Sequence, residues 1–297
     1  MFRVFLPLLL LTASHFPFMH AAEPERTMNF VTVSDTEHFP WVEGLIDSTL
    51  KYNYTKISKF AVFDLGLTKQ EVETLKQKPF VDVHKIEDIN PDMRKKFAVR
   101  TNGRLARGWY TWKPTVFYQA TQMFPHFLYL DAGFEVAAPL DSIFDEIREK
   151  GYYLYDGSHL IFPVVTKHVR ELFELEGETN KWLIEESCIS GGIQGLSRSL
   201  LDSYIKPMYE LAKHIENFED DGTAYWGYGF ARHDQTLFSI FVRKLGLKTH
   251  PLFCTPKKIR INDRTIYFGI LRHFKFRKHK ERDAKRLEHA RINNLLG

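Results

Sequence analysis

Between Phe127 and Val136 the chain reads FLYLDAGFEV, an apolar run that delivers one acid, Asp131, to the point where the hydrophobic signal breaks. The four apolar or aromatic residues ahead of the acid predict a strand buried on both faces, and Ala132-Gly133 behind it predict tight backbone near a ligand. Open α/β sheets bind ligands outside the carboxyl edge, where loops diverge and side chains need not pack, so an acid there is a candidate for chemistry. An acid that serves only the fold is the competing reading, and the surrounding pattern has to decide.

That pattern is an alternation of short apolar runs with helical periodicity, the signature of βαβ units. Strands are expected at 30–33, 60–65 and 80–83, with a helix carrying Trp41, Leu45, Ile46 and Leu50 after the first. Thr68 and Glu71 form a capping box for a helix through Gln77, which Pro79 closes. Trp112-Lys113-Pro114 opens a helix through Phe124, with Pro114 where a missing N–H costs little. Further helices are expected at 140–150, 166–175, 199–218 and 233–245, and further strands at 152–155, 187–198 and 248–253. Within 187–198, Gly191-Gly192 predicts close backbone approach. The fold class is therefore α/β, one domain with a mostly parallel central sheet flanked by helices. With 44% hydrophobic residues and 25 phenylalanines, the 297-residue chain can bury a core of that size.

Two segments lack periodicity. Residues 87–108 gather Arg94, Lys95, Lys96, Arg100, Arg104 and Arg107, a loop that either flanks an anionic ligand or forms a solvated basic face. Residues 222–230 are rich in glycine and aromatics, long enough for a binding loop in which Tyr225, Trp226 and Tyr228 stack on a ligand or pack on the sheet.

The ends differ from the middle. Arg3, the apolar stretch 4–13 and His20-Ala21-Ala22 before a charged segment make residues 1–22 a secretory signal peptide, expected to be cleaved and not retained as an anchor. The apolar run falls short of the roughly 20 residues of a spanning helix. The expected location is the secretory pathway, an endomembrane lumen or the exterior, or a periplasm in a bacterial host. There Cys188 and Cys254 would either pair or remain buried thiols, and Asn53-Tyr54-Thr55 is a glycosylation triplet. Residues 257–297 form a basic tail ending in a charged helix, read as solvated or as a weak contact with anionic membrane. A net charge of only +4 argues against a specific nucleic-acid partner. The P-loop, Rossmann and serine-hydrolase motifs are absent.

In this order, Trp112-Lys113-Pro114, Tyr129-Leu130-Asp131-Ala132-Gly133, Ser190-Gly191-Gly192 and His233-Asp234-Gln235 resemble the GT-A-type nucleotide-diphospho-sugar glycosyltransferases, in particular the transferases with a WKP helix followed by a YLDAG strand. The resemblance implies a GT-A-like domain over 27–256 that moves a sugar from a nucleotide-diphosphate donor to a glycan, lipid or protein acceptor. In that family the acid after the fourth strand belongs to a DxD signature that holds donor ribose and, through a divalent metal, the diphosphate, whose charge must be met as it leaves. Here Gly133 stands where the second acid would be. A divalent Mn2+ or Mg2+ therefore carries over only weakly, and a catalytically inactive GT-A-like domain that binds glycan or protein is the alternative.

Asp131 and Asp234 are the expected catalytic pair, Asp131 on donor ribose or metal and Asp234 on the reacting sugar. The same resemblance assigns Trp112, Lys113, Gly133 and Gln235 to the donor site, with Lys113 at a helix start where ammonium and helix N-terminus both favour phosphate. If the chain stays extended after Asp131, Gly133 and Glu135 share its face, and Glu135 becomes a substitute metal ligand. His250 is the third candidate ligand.

Overall fold

The computed structural model describes residues 25–99, 105–175, 180, 182–224 and 231–251, together with the backbone of three short strands at 258–261, 264–267 and 271–273. The expected signal peptide, Arg100, Arg104, the aromatic loop residues Tyr225, Trp226 and Tyr228, Cys254 and the charged C-terminal helix lie outside the described residues.

Six strands form the central sheet: β1 (Met28–Ser34), β2 (Ile57–Asp64), β3 (Val81–Lys85), β6 (His126–Leu130), β8 (Tyr152–Leu160) and β9 (Ser187–Ser197), in the order β3-β2-β1-β6-β9-β8. β3, β2, β1 and β6 are mutually parallel, and β9 runs against both β6 and β8. Every residue of β1 is buried, because side chains alternate between two cores. Phe30, Phe60, Leu128 and Leu130 face one core, which includes Leu45 and Ile46 of α1 (Phe39–Asn53) and Phe144 and Ile147 of α4 (Asp141–Lys150). Val31, Phe63, Phe127 and Tyr129 face the other, with Val116 and Phe117 of α3 (Trp112–Met123), Met208 of α7 (Lys206–Ala212) and Leu237, Phe238 and Ile240 of α8 (His233–Lys244). The result is a sheet covered by helices on both sides.

Local chemistry sets several boundaries as expected. α2 (Lys69–Lys76) has its capping box, with Glu71 N donating to Thr68 Oγ1 at 3.2 Å and Thr68 N to Glu71 Oε2 at 2.7 Å. Short α5 (Lys167–Leu172) is capped by Thr166, and α6 (Trp182–Glu185) is a single turn.

Four expectations differ. The basic stretch 87–108 contains a hairpin of β4 (Lys96–Ala98) and β5 (Leu105–Arg107). The helix expected over 199–218 is broken into a 3-10 turn, a π turn over Leu201–Ile205 and then α7, because Pro207 removes an N–H and crowds the carbonyl one turn back. The strand expected at 248–253 is, over its described part, one bridge between Tyr155 and His250. Asn53 is buried, donating to Thr49 O at 3.2 Å and accepting from Leu140 N at 2.9 Å, so the glycosylation triplet is closed to modification in the folded domain.

Beyond the bridge, β10 (Lys258–Ile261) and β11 (Arg264–Tyr267) pair as a hairpin, and β12 (Leu271–His273) pairs antiparallel with β7 (Phe134–Val136). No helix among the described residues is long and apolar enough to cross a membrane.

Candidate functional site

The parallel strands bring their carboxyl ends to one edge, where Asp35 follows β1, Asp64 ends β2 and Asp131 follows β6. Thr32 Oγ1 donates to Leu130 O at 2.6 Å, locking β1 to β6 just below Asp131. Two helices then aim their first turns at this edge.

α3 follows three consecutive residues in the left-handed region, Gly108 (φ 53°), Trp109 (φ 46°) and Tyr110 (φ 68°). A Cβ on Gly108 would fall 2.1 Å from Met93 O, so only glycine fits. α8 likewise starts on a left-handed residue, His233 (φ 49°). The His233 ring stacks on Trp109 at 4.9 Å and lies 5.5 Å from Tyr110, while its Nδ1 is 2.8 Å from Phe218 O. Strained backbone of this kind persists only where its surroundings fix it, and the stack ties the starts of α3 and α8 together.

That tie places Lys113, in the first turn of α3, beside Asp234, in the first turn of α8. Lys113 Nζ lies 3.2 Å from Asp131 Oδ1 and 3.2 Å from Asp234 Oδ2, and it donates to Gly191 O at 2.8 Å. The Asp234 contact is an ion pair without hydrogen-bond alignment at Oδ2. The Lys113 and Asp234 side chains are only 5% and 7% exposed, whereas Asp131 is 37% exposed. Burial alone would push Lys113 down, but Asp131 and Asp234 outweigh it and hold the ammonium above its ordinary value. Burial pushes Asp234 up, against the pull of Lys113. Tyr129 OH donates to Asp131 Oδ1 at 2.6 Å, and burial followed by Asp131 raises the phenol well above its usual range. Asp131 Oδ1 is thus fixed from two sides, while the carboxylate keeps access to solvent.

The glycines of β9 make room for this. A Cβ on Gly192 would meet Asp131 Oδ2 at 2.8 Å and Phe134 Cε2 at 2.9 Å, and one on Gly191 would lie 3.5 Å from Asp234 Oδ2. Trp112 lies against the ammonium, its ring centroid 5.4 Å from Lys113 Nζ, and its indole N–H is buried with no hydrogen-bond partner among the described residues.

The structure brings Asp131, Lys113, Asp234 and Trp112 together, with Gly133 in the turn after Asp131 and Gln235 beside Asp234 against Gly191, and sets His250 apart. Lys113 donates to Gly191 O and faces both carboxylates from a side chain only 5% exposed, so its position is that of a bridge between carboxylates and not of an open phosphate contact. Gln235 commits Nε2 to Ile189 O at 2.7 Å, tying α8 to β9 instead of reaching a donor. Residues 131–133 do not stay extended. Phe134 N donates to Asp131 O at 3.0 Å, closing a turn through Gly133 that breaks the alternation meant to align Glu135 with Asp131. His250 sits beside β8, two strands from β6, with Nε2 2.8 Å from Glu146 Oε1. Asp131, Glu135 and His250 are therefore no ligand cluster, and an ammonium 3.2 Å from Asp131 Oδ1 opposes a divalent ion there. The described side chains around Asp131 do not fit the metal expected from the resemblance.

Two features escaped the sequence reading. Asp35, Glu37 and His38 place their ligand atoms within 4.8 Å of one another, and the acid-rich D-T-E-H after the first strand was the available signal. Asp35 is, however, already compensated, with His38 Nδ1 at 2.6 Å and Arg107 Nη2 at 3.0 Å from its oxygens. Burial would raise Asp35, but His38 and Arg107 prevail and lower it to about 2. The second feature is backbone register: the β12–β7 pairing sets Arg272 opposite Glu135 and His273 opposite Phe134, a few residues from Asp131.

Neither a family model nor a curated protein matches the chain. Among solved structures it is similar to core-mannan synthase A from Aspergillus fumigatus in its Mn/GDP form, at 10% identity over 84% of this chain and 82% of that one, with a TM-score of 0.50. It is also similar to the galactosyltransferase LgtC in complex with donor and acceptor sugar analogues, at 12% identity, 84% and 87% coverage and a TM-score of 0.49. For mouse xyloside xylosyltransferase 1 in its apo form the values are 14%, 84%, 98% and 0.48. At such identities the likeness is one of fold, and that fold is the GT-A glycosyltransferase fold.

Proposed function

We propose that this chain is a glycosyltransferase that takes a sugar from a nucleoside-diphosphate donor. The observation that carries the reading is the Asp131–Lys113–Asp234 constellation, two carboxylates clamped on one buried ammonium at the carboxyl edge of a parallel sheet, with one carboxylate open to solvent. A fixed, charged acceptor of that kind suits hydroxyl groups of a ribose or sugar, since hydrogen bonds to an ionised partner are the strong ones. Asp131 receives the donor's hydroxyls in this reading. Asp234, held through Lys113, orients the transferred sugar.

The leaving diphosphate needs positive charge from elsewhere. The β12–β7 pairing sets Arg272 opposite Glu135 on the strand that follows Asp131, and the sequence after Arg272 is rich in lysine and arginine, which supports the tail as that source. The secretory pathway remains our proposed location on the strength of residues 1–22. The test is hydrolysis and transfer from a panel of sugar nucleotides, each with Mn2+, Mg2+ or EDTA, comparing wild type with Asp131→Asn. Turnover by the wild type that falls by about 10²-fold or more in the variant is the expected result. No donor bound or turned over across the panel would overturn the reading.

A second reading is favoured by Gly133 and the ammonium at Asp131: a catalytically silent domain of the same fold that binds a glycan or protein. Donor affinity without turnover separates the two.

A further inference from the structure

The GT-A likeness implies a divalent ion at the acid after β6, and the side chains there do not fit one. We infer that the Lys113 ammonium is the resident cation of this site: it takes the place a divalent ion would have between Asp131 and Asp234, so the wild-type site is closed to Mn2+ and opens to it only when that charge is removed.

Two oxygens from different helical and strand elements converge on one nitrogen at 3.2 Å, as they would on a bridging metal, and a third oxygen, Gly191 O, completes the set at 2.8 Å. Carboxylate and carbonyl oxygens are the donors a hard divalent cation selects. The ammonium meets the same oxygens at hydrogen-bond distances, and it cannot readily swing aside. Its side chain is 5% exposed, and its Nζ lies 5.4 Å and 5.2 Å from the ring centroids of Trp112 and Tyr129, a cation–π arrangement on two sides. A divalent ion entering beside it would meet like charge in a poorly hydrated place. Taking the ammonium away leaves two carboxylates and a carbonyl facing one another with nothing to balance them, and such a group relieves itself by binding a cation.

The Mn2+ part of this inference stands apart from the proposed activity, whereas its consequence for the donor, binding that needs no divalent ion, rests on that reading. Titration of the full, EDTA-treated chain with Mn2+, followed by the electron paramagnetic resonance signal of free Mn2+ and by melting temperature, tests it in wild type, Lys113→Met, Lys113→Arg, Asp131→Asn and the Lys113→Met, Asp131→Asn double variant. Wild type and Lys113→Arg are expected to take up no Mn2+ below about 1 mM, while Lys113→Met binds one ion at least about tenfold more tightly. Mn2+ should raise the melting temperature of Lys113→Met alone, and Asp131→Asn in that background should cancel the gain. One Mn2+ bound by the wild type and lost in Asp131→Asn overturns the inference, as does a folded Lys113→Met that gains no Mn2+ response. Should Lys113→Met fail to fold, Lys113→Gln takes its place, and the wild-type comparison with Asp131→Asn decides on its own. In a parallel arm, UDP and GDP affinities should agree within about twofold in EDTA and in Mn2+, against the large change that a metal-bridged diphosphate would give. A strict Mn2+ requirement overturns the inference, whereas no nucleotide bound in either condition counts against the glycosyltransferase reading alone.

Discussion

Gly192 decides the position of Asp131 by lacking a side chain. An alanine there would set its Cβ 2.8 Å from Asp131 Oδ2 and 2.9 Å from the Phe134 ring, so one of them has to move. Gly192→Ala is expected to lower stability by about 1–3 kcal/mol, as overpacking does. Donor hydrolysis should fall further, by about 10²-fold, because a carboxylate displaced by an ångström no longer meets its hydroxyls. Parallel melting and kinetic measurements would show the disproportion, and equal losses would mean that Asp131 has no role beyond the fold. His233 gives a second, pH-dependent prediction. Burial lowers it from 6.5 to about 4, with Phe218 O opposing and Arg232 assisting. Between those values the unfolded chain takes up a proton that the folded chain refuses, so stability falls as pH falls from about 6.5 to about 4, by about 3 kcal/mol in all. Asp35, lowered from 3.8 to about 2, acts in a separate window: its stabilisation of about 2 kcal/mol is full above pH 3.8 and is lost as pH falls toward 2. Urea unfolding at pH 7, 5.5 and 4.5 should show the first loss in wild type and its absence in His233→Asn, since asparagine tolerates the left-handed backbone and does not titrate.

The elements that bring these residues together differ in how readable they are. Strands β1, β2 and β6 were legible because their buried centres leave short runs that are mostly apolar, and α1, α3 and α8 from helical spacing and their start signals. The Thr68 capping box was legible as a purely local pattern. Its loss in Thr68→Ala should cost about 1 kcal/mol, read as a lower urea midpoint. The hairpin of β4 and β5 was not legible, since three-residue charged strands carry no period. The partnership of Lys113 with Asp234 was hidden for a different reason: it depends on two strained helix starts stacked through Trp109 and His233, a tertiary contact with no sequence periodicity. The same reasoning explains why Asp131 and Asp234 could be picked out singly while the bridge between them could not. Gly108 is the element-scale test of this arrangement. With φ of 53° and Met93 O only 2.1 Å from any added Cβ, Gly108→Ala should cost about 3 kcal/mol or more and abolish donor hydrolysis even where the variant remains folded. Calorimetry with activity at a temperature below its melting point distinguishes lost alignment from lost folding.

At the scale of the whole molecule, charge is distributed against the constellation's own balance. Asp131, Lys113 and Asp234 sum to a site with no surplus of positive charge for a diphosphate, and the described cations nearby are already engaged: Arg107 with Asp35, Lys96 with Glu37 and Arg94 with Asp88. The chain's net charge of +4 comes from a basic tail that would be expected to hang free, yet the backbone of Leu271–His273 is paired to Phe134–Val136. Arg272 is set opposite Glu135 by that pairing, the sequence that follows it carries Lys275, Arg277 and Lys278, and a dense run of cations raises the local concentration of an anionic ligand. Neutralising Arg272, Lys275, Arg277 and Lys278 to glutamine in the full chain should therefore weaken nucleoside-diphosphate binding and flatten its dependence on salt. Wild-type affinity should drop steeply as sodium chloride rises from about 0.05 M to about 0.5 M, where the screening length shrinks to a few ångströms. The quadruple variant should start weaker and change little over the same range. Its melting temperature should stay near the wild type's, since the described core lies between Met28 and Val242. Equal affinity and equal salt slope in the two proteins would remove the tail from the site.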